Sequence, residues 1–262
     1  MKIFDLHCDT IGECYKQGKS LLKNDLHLDI TRCSEYDSYT QVFAIWIPDE
    51  YRDKTAVDYF DNVSDLFYRE LQEHSDSISL YSEEKNTPVK AVLSVEGASA
   101  CAGTLEGLER LYNKGVRLIT LTWNGNNEIA GGAFSTGGVT PFGETFINRC
   151  EELGIVIDVS HLNRESFWEF ARLSTKPFVA SHSNADIVDN YYAHHRNLTK
   201  EQIEFIKESH GLIGLNFCQD FIETDQCTGI EALKKQIDYF ISLGCEKIIA
   251  LGSDYDGCET RG

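Results

Sequence analysis

The sequence predicts an α/β fold, a TIM-like (β/α)8 barrel. Three observations predict it. Eight short apolar runs follow one another along the chain, the segments between them carry helix start and stop signals, and the turn after the first run lacks glycine. Strands that alternate with helices make a parallel sheet, and eight is the count that closes a barrel. An open doubly wound sheet is the competing architecture. It usually carries a Gly-rich turn after its first strand, and here that turn reads His7-Cys8-Asp9.

The runs are Ile3–Cys8, Gln41–Ile47, Ala91–Val95, Val116–Thr122, Ile155–Val159, Phe178–Ser181, Leu212–Phe217 and Lys247–Leu251. They are rich in β-branched residues and mostly apolar on both faces, as strands covered on both sides should be. Helix punctuation falls between them. Thr104 opens a helix that Gly115 ends, and Pro141 follows Thr140 as a first-turn proline. Thr199-Lys200-Glu201-Gln202 spells a capping box with Gly211 as its stop. Thr228-Gly229-Ile230-Glu231 repeats that signal, with Gly244 as its stop. The eighth run is followed by a few residues only, and Gly257–Gly262 is too short for an eighth helix of ordinary length. The expectation is a chain truncated at its C-terminus, with the last helix missing or supplied elsewhere; a homodimer would cover that face.

Composition narrows the function classes. The chain has 262 residues, 42% of them apolar, with 24 Lys+Arg against 42 Asp+Glu and a formal charge of −18. The balance fits a globular protein, expected as one domain over residues 1–262. The acidic surplus argues against a nucleic-acid partner, which needs clustered Lys and Arg. No apolar run approaches the ~20 residues of a membrane helix, and the acidic Asp5 follows the start at once, unlike a signal peptide. Nine cysteines, odd in number and without a Cys-x-x-Cys pair, read as buried thiols in a reducing cytoplasm.

In a barrel of this kind the reactive groups sit at the C-terminal ends of the strands. His7 and Asp9 end the first run, and Glu96 follows the third. His161, His182 and Asp254 follow the fifth, sixth and eighth. All six are metal-ligating or acid–base types. His7 and Asp9, two apart in extended chain, face the same side. Imidazole and carboxylate together suit Zn²⁺, and a carboxylate that bridges allows two ions side by side. Each residue taken singly has an ordinary structural alternative, such as a hydrogen-bonded turn residue or a helix cap. Gathered at one barrel mouth, six such groups are costly to bury unless something pairs them. His27, His74, His194, His195 and His210 read as surface residues.

The same residues carry a resemblance to the membrane (renal) dipeptidase family of zinc peptidases, soluble bacterial members included. The matching strings run from Phe4 to Gly257. They are Asp5-Leu6-His7-Cys8-Asp9-Thr10, Ser94-Val95-Glu96-Gly97, the stretch from Arg117 to Asn124, and the stretch from Gly137 to Gly143. Ile157-Asp158-Val159-Ser160-His161, Ala180-Ser181-His182-Ser183, His195-Arg196-Asn197 and Gly252-Ser253-Asp254-Tyr255-Asp256-Gly257 complete them. The resemblance implies a binuclear site of two zinc ions per chain. His7 and Asp9 would hold one ion, His161 and His182 the other, and Glu96 would bridge them. Asp254 would be the catalytic acid–base residue, and Arg196 would bind the substrate carboxylate. Renal-type members place a substrate-contacting His where this chain has Trp123, which is taken as a substrate-contacting residue.

The expected function is therefore zinc-dependent hydrolysis of a small dipeptide by a metal-bridging hydroxide. Asp254 moves the proton, Arg196 measures substrate length, and the glycine-rich stretch Gly131–Gly143 lines the pocket. Alternatives are another binuclear metal hydrolase acting on a cyclic amide, a phosphoester or an amine to be deaminated, or a non-catalytic binding protein on a barrel fold.

Overall fold

Each of the eight apolar runs folds as a parallel strand. The computed structural model describes residues 1–259. Its elements in chain order are β1 (Lys2–Cys8), α1 (Thr10–Gln17), α2 (Ile30–Cys33), β2 (Ser38–Trp46), α3 (Asp53–Glu73), β3 (Ile78–Leu80), β4 (Val89–Glu96) and α4 (Leu105–Asn113). Then come β5 (Val116–Thr120), α5 (Pro141–Leu153), β6 (Val156–Asp158), α6 (Arg164–Leu173), β7 (Val179–Ala180), α7 (Tyr191–Arg196) and α8 (Lys200–Glu208). The chain ends with β8 (Leu212–Leu215), α9 (Gln219–Ile222), α10 (Gly229–Ser242) and β9 (Ile249–Leu251).

Neighbouring strands run in the order β2-β1-β9-β8-β7-β6-β5-β4, and β2 pairs with β4 from Tyr39–Val89 to Trp46–Glu96. That last pairing closes the ring into an eight-stranded parallel barrel. The expected α/β barrel is the fold observed. The sequence reading did not anticipate β3. It pairs with Val89–Ala91 of β4, on the edge whose upper part pairs with β5 through Leu93–Glu96. Three residues, Ile78-Ser79-Leu80, are too few to show a period. They sit at the end of the barrel away from the strand C-termini.

The helices bury one stripe each against the strands. On α3 the stripe is Ala56, Phe60, Val63, Ser64, Phe67, Glu70 and Leu71, a run of three- and four-residue steps. Phe43 on β2 and Phe60 and Phe67 on α3 are fully buried, and each such side chain contributes about 1.5–3 kcal/mol of burial free energy. Among the described residues no helix is long and apolar enough to cross a membrane.

Three helix signals hold as read. Thr104 and Thr140 cap α4 and α5 through their side chains, with Pro141 in the first turn of α5, and Thr199 and Gln202 form the reciprocal capping box of α8. Two differ. Thr228 gives no side-chain cap to α10; the Glu223 carboxylate accepts the Gly229 N–H instead, at 2.6 Å. The stop of α8 is His210, whose φ is +58°. Gly211 is needed for room, since a Cβ there would lie 2.4 Å from the Phe178 carbonyl oxygen. Among the described residues no helix follows β9, all three residues of β9 are half-buried, and Phe4 on the adjoining β1 is exposed. Residues 260–262 of the predicted short tail lie outside the described residues.

Candidate active site

All six strand-end residues meet at one mouth of the barrel, and all six are buried. The meeting point is Glu96, at the end of β4. Its Oε1 lies 2.8 Å from His161 Nε2 and 3.3 Å from His182 Nε2, and its Oε2 lies 3.6 Å from His7 Nε2. His7 Nε2 is also 3.3 Å from Asp9 Oδ2 and 3.9 Å from Asp254 Oδ1. The ligand-type atoms of His7, Asp9 and Glu96 form one set and those of Glu96, His161 and His182 another, each within 4.8 Å. Glu96 belongs to both.

The strands set this geometry, and a second layer of polar groups aims it. Asp158 on β6 accepts the hydroxyls of Thr120 and Ser181 at 2.6 Å each, and the N–H groups of Ser160 and Ser181. The Ser181 hydroxyl hydrogen is thus engaged by Asp158, so His182 Nδ1–H donates to Ser181 Oγ at 2.7 Å. His161 Nδ1–H donates in the same way to Asn124 Oδ1 at 3.0 Å. Both rings therefore keep an Nε2 lone pair turned inward. The two Nε2 atoms are 2.9 Å apart, with Glu96 Oε1 beside them. Three acceptors at that spacing with no proton among them fit a cation, and the N,N,O donor set suits zinc. His7 Nδ1 and Asp9 Oδ1 are buried without a hydrogen-bond partner. Gly257 leaves the room that the carboxylates need: a Cβ there would lie 2.2 Å from Asp9 Oδ2 and 2.4 Å from Asp254 Oδ1.

Charge is distributed accordingly. Burial, then the proximity of Arg196, keeps His161 below the ordinary imidazole range; burial, then His7 and Arg196, keeps His182 well below it. Burial opposes the charge on His7, but Glu96 and Asp9 outweigh it and hold that ring well above the ordinary range. Burial also works against the Glu96 carboxylate, yet His7 and His161 hold it well below the usual range. Asp9 is pushed up to about 7, by burial first and by Glu96 and Asp254 further, against the pull of His7. A metal ion held by Asp9 would have to compete with a proton for it. Metal affinity, measured against a competing chelator, should fall as pH is lowered through about 7, and an affinity flat between about pH 6 and 8 would contradict this ligand set.

Two of the six residues sit in the left-handed backbone region although neither is glycine: His161 at φ +65° and Asp254 at φ +59°. Such conformations cost of order 1–3 kcal/mol and gather at functional sites. Asp254 is held by Asn216, whose Nδ2 donates to Asp254 Oδ2 at 2.9 Å. A cavity of about 220 Å³ opens above the cluster, walled by Trp46, Tyr59, Trp123 and Phe221, with Lys16 at its edge. Lys16 Nζ lies 2.8 Å from Glu13 and stacks over Trp46.

The remaining expected residues fall as follows. Trp123 is on the cavity wall, edge-on to Trp46 with ring centres 4.9 Å apart. Arg196 is buried behind the wall. It donates to Ser183 Oγ at 3.0 Å and to the His182 carbonyl at 2.8 Å, and its Nε has no partner. The stretch Gly131–Gly143 does not line the cavity. Its backbone is taken up by α6 instead: the Asn163 side chain donates to the carbonyls of Ser135 and Gly137, and Glu169 accepts the Val139 N–H. Of the five histidines read as surface, His74 is half-buried against Glu70 and Ser20 and the other four are exposed. The sequence reading missed Trp46, Asn124 and Asn216. It also gave no separate role to Asp158, whose charge inside an apolar strand was a signal.

A closed parallel barrel with imidazoles and carboxylates gathered at the C-terminal ends of its strands defines a barrel of the metallohydrolase class. The model of the membrane dipeptidase family (peptidase family M19) matches residues 1–261, and the chain belongs to that family. A metallo peptidase from Rhodobacter sphaeroides, solved with a phosphinate mimic of the dipeptide L-Ala-D-Ala, superposes with a TM-score of 0.89. It is 23% identical, over 99% of this chain and 87% of that one. The metallo peptidase dipeptidase AC gives a TM-score of 0.88 at 25% identity, over 99% of this chain and 86% of that one. By sequence, a Klebsiella pneumoniae protein from the pqqA 5' region is 37% identical over 63% of this chain and 65% of its own length. A dipeptidase of Schizosaccharomyces pombe, C965.12, is 32% identical over 66% of this chain and 42% of its own length. The matched part of this chain thus spans less than two thirds of either protein.

Proposed function

We propose that the chain hydrolyses dipeptides in a metal-dependent reaction, with His7, Asp9 and Glu96 holding one zinc ion and Glu96, His161 and His182 a second. One observation supports this above the others: two donor sets share one carboxylate at the floor of a small cavity, with a further buried carboxylate, Asp254, beside them. Zinc ions held by these residues would supply Lewis-acid polarisation of a carbonyl and make a bound water easier to deprotonate.

The chain's own residues do the rest. Asp254 Oδ1 faces the cluster, while Asn216 fixes the other oxygen, so one carboxylate oxygen is free to take a proton from the attacking water and pass it to the leaving amine. Trp46, Tyr59 and Trp123 restrict the cavity to a short substrate and keep bulk water from the carbonyl. Arg196 brings a guanidinium, the group that matches a carboxylate bidentately, to the end of β7 beside His182. Its charge favours a substrate with a free C-terminal carboxylate.

The test compares a free dipeptide with its C-terminal amide. The free form should be the better substrate. Arg196→Met should raise KM for it by about 10- to 100-fold, as loss of a hydrogen bond to a charged group does, and change the amide far less. An equal effect on both substrates would remove Arg196 from carboxylate binding, and no cleavage of either by metal-loaded protein would remove the dipeptidase reading.

A further inference from the structure

We propose that Cys218 and Cys258 form a redox modification site at the cavity, where a low-molecular-weight disulfide converts the two thiols into an intrachain disulfide that lowers turnover. Both side chains line the cavity together with Asp254. The segments that carry them are laced side by side: the Phe217 N–H donates to the Ser253 carbonyl and the Gln219 N–H to the Glu259 carbonyl, each at 3.3 Å. The Cys218 side chain lies close enough to Cys258 to strengthen that thiol's hold on its proton. The Cys258 thiol also reaches the Asp254 carbonyl oxygen at 3.7 Å.

This pair differs from the thiols of the core. Cys258 is half-buried, and Cys218, although buried like the other seven, lines the cavity. Cys14 and Cys33 are enclosed in the core, out of reach of a reagent. The neighbouring Cys218 side chain, then burial, pushes the Cys258 thiol up. Cys258 therefore keeps its proton, which it donates to the Asp254 carbonyl, and Cys218 on the same cavity wall is the thiol that attacks first.

The exchange balances. The Cys218 thiolate attacks one sulfur of the reagent RS–SR, the S–S bond breaks, and RS⁻ leaves and takes up the proton that Cys218 lost. Cys258 then gives up its proton and attacks the Cys218 sulfur of the mixed disulfide. The second RS⁻ leaves and takes that proton. Two protein thiols are oxidised by two electrons, and one RSSR is reduced to two RSH.

The bond would act on the proton-transferring residue. Asn216 Oδ1 accepts the Cys218 N–H at 2.6 Å, and its Nδ2 donates to Asp254 at 2.9 Å. Drawing the two sulfurs to bonding distance takes the Cys258 thiol from the Asp254 carbonyl and pulls on the turn that aims the carboxylate. The effect on turnover rests on the dipeptidase reading; the bond itself does not.

The test treats metal-loaded full-length protein with oxidised glutathione, blocks the remaining thiols, and maps the peptides by mass spectrometry. The expected result is a linked peptide pair carrying Cys218 and Cys258, with turnover lowered roughly tenfold or more and restored by dithiothreitol. Cys258→Ser should stop at a glutathione adduct on Cys218. Cys218→Ser, compared with its own untreated rate, should resist inhibition. Recovery of both cysteines as free thiols, or equal inhibition of Cys218→Ser, would overturn the proposal. A linked pair in protein that shows no dipeptide turnover even untreated would keep the modification site and reject the activity.

Discussion

Exchanging Asp254 for asparagine is expected to lower kcat by about 10²- to 10⁴-fold, the usual worth of a positioned acid–base group. The change removes one ionisable oxygen and little else. Asparagine tolerates the left-handed conformation that residue 254 adopts. Its side-chain oxygen can still accept from Asn216, as Asp254 does at 2.9 Å. The backbone ties at this residue, to the His7 carbonyl and from the Gly257 N–H, are untouched. Metal content and KM should therefore stay close to the parent values, with the loss confined to kcat. Undiminished kcat in Asp254→Asn would take the proton transfer away from this residue. A variant that also lost its metal would make Asp254 a ligand.

Glu96→Gln should have the broader effect, on metal content as well as on turnover, because it strikes both donor sets at once. Glu96 lies 2.8 Å from His161, 3.3 Å from His182 and 3.6 Å from His7. Glutamine keeps the shape but replaces one carboxylate oxygen by an NH₂ that cannot ligate. It also withdraws the negative charge that holds His7 well above its ordinary range. Metal content should fall and activity should drop by about a thousandfold or more, the equivalent of several kcal/mol of transition-state charge stabilisation. Elemental analysis beside a dipeptide assay reads both. Full metal content with full activity in Glu96→Gln would show that the carboxylate is structural.

How much of this was legible depends on where the physics is local. A strand covered on both faces is mostly apolar, so the eight barrel strands could be read one at a time, down to the two-residue β7. The rule that reactive groups sit at strand C-termini then selected His7, Asp9, Glu96, His161, His182 and Asp254 without any view of their contacts. What depends on pairing across strands was hidden. Asp158 is satisfied by donors from β5 and from the end of β7, and Asn216 reaches from the end of β8 to Asp254; neither partner is near in sequence. The left-handed conformations of His161 and Asp254 had no glycine to announce them. The stretch Gly131–Gly143 was misplaced for a related reason. Its glycines suggested an open loop, but its backbone groups are consumed by Asn163, Ser166 and Glu169 of the neighbouring helix. Arg196 entered the reading through the resemblance alone, since nothing local distinguishes a buried guanidinium from a solvated one.

The most direct measurement strips the purified protein with a chelator and returns zinc in steps, following bound metal and cleavage of a free dipeptide together. The account predicts that activity is lost on stripping and climbs with metal to a plateau at about two ions per chain, as a paired-ion mechanism requires. Folded protein that takes up no metal, or that cleaves the dipeptide as fast in the chelator as without it, would contradict it.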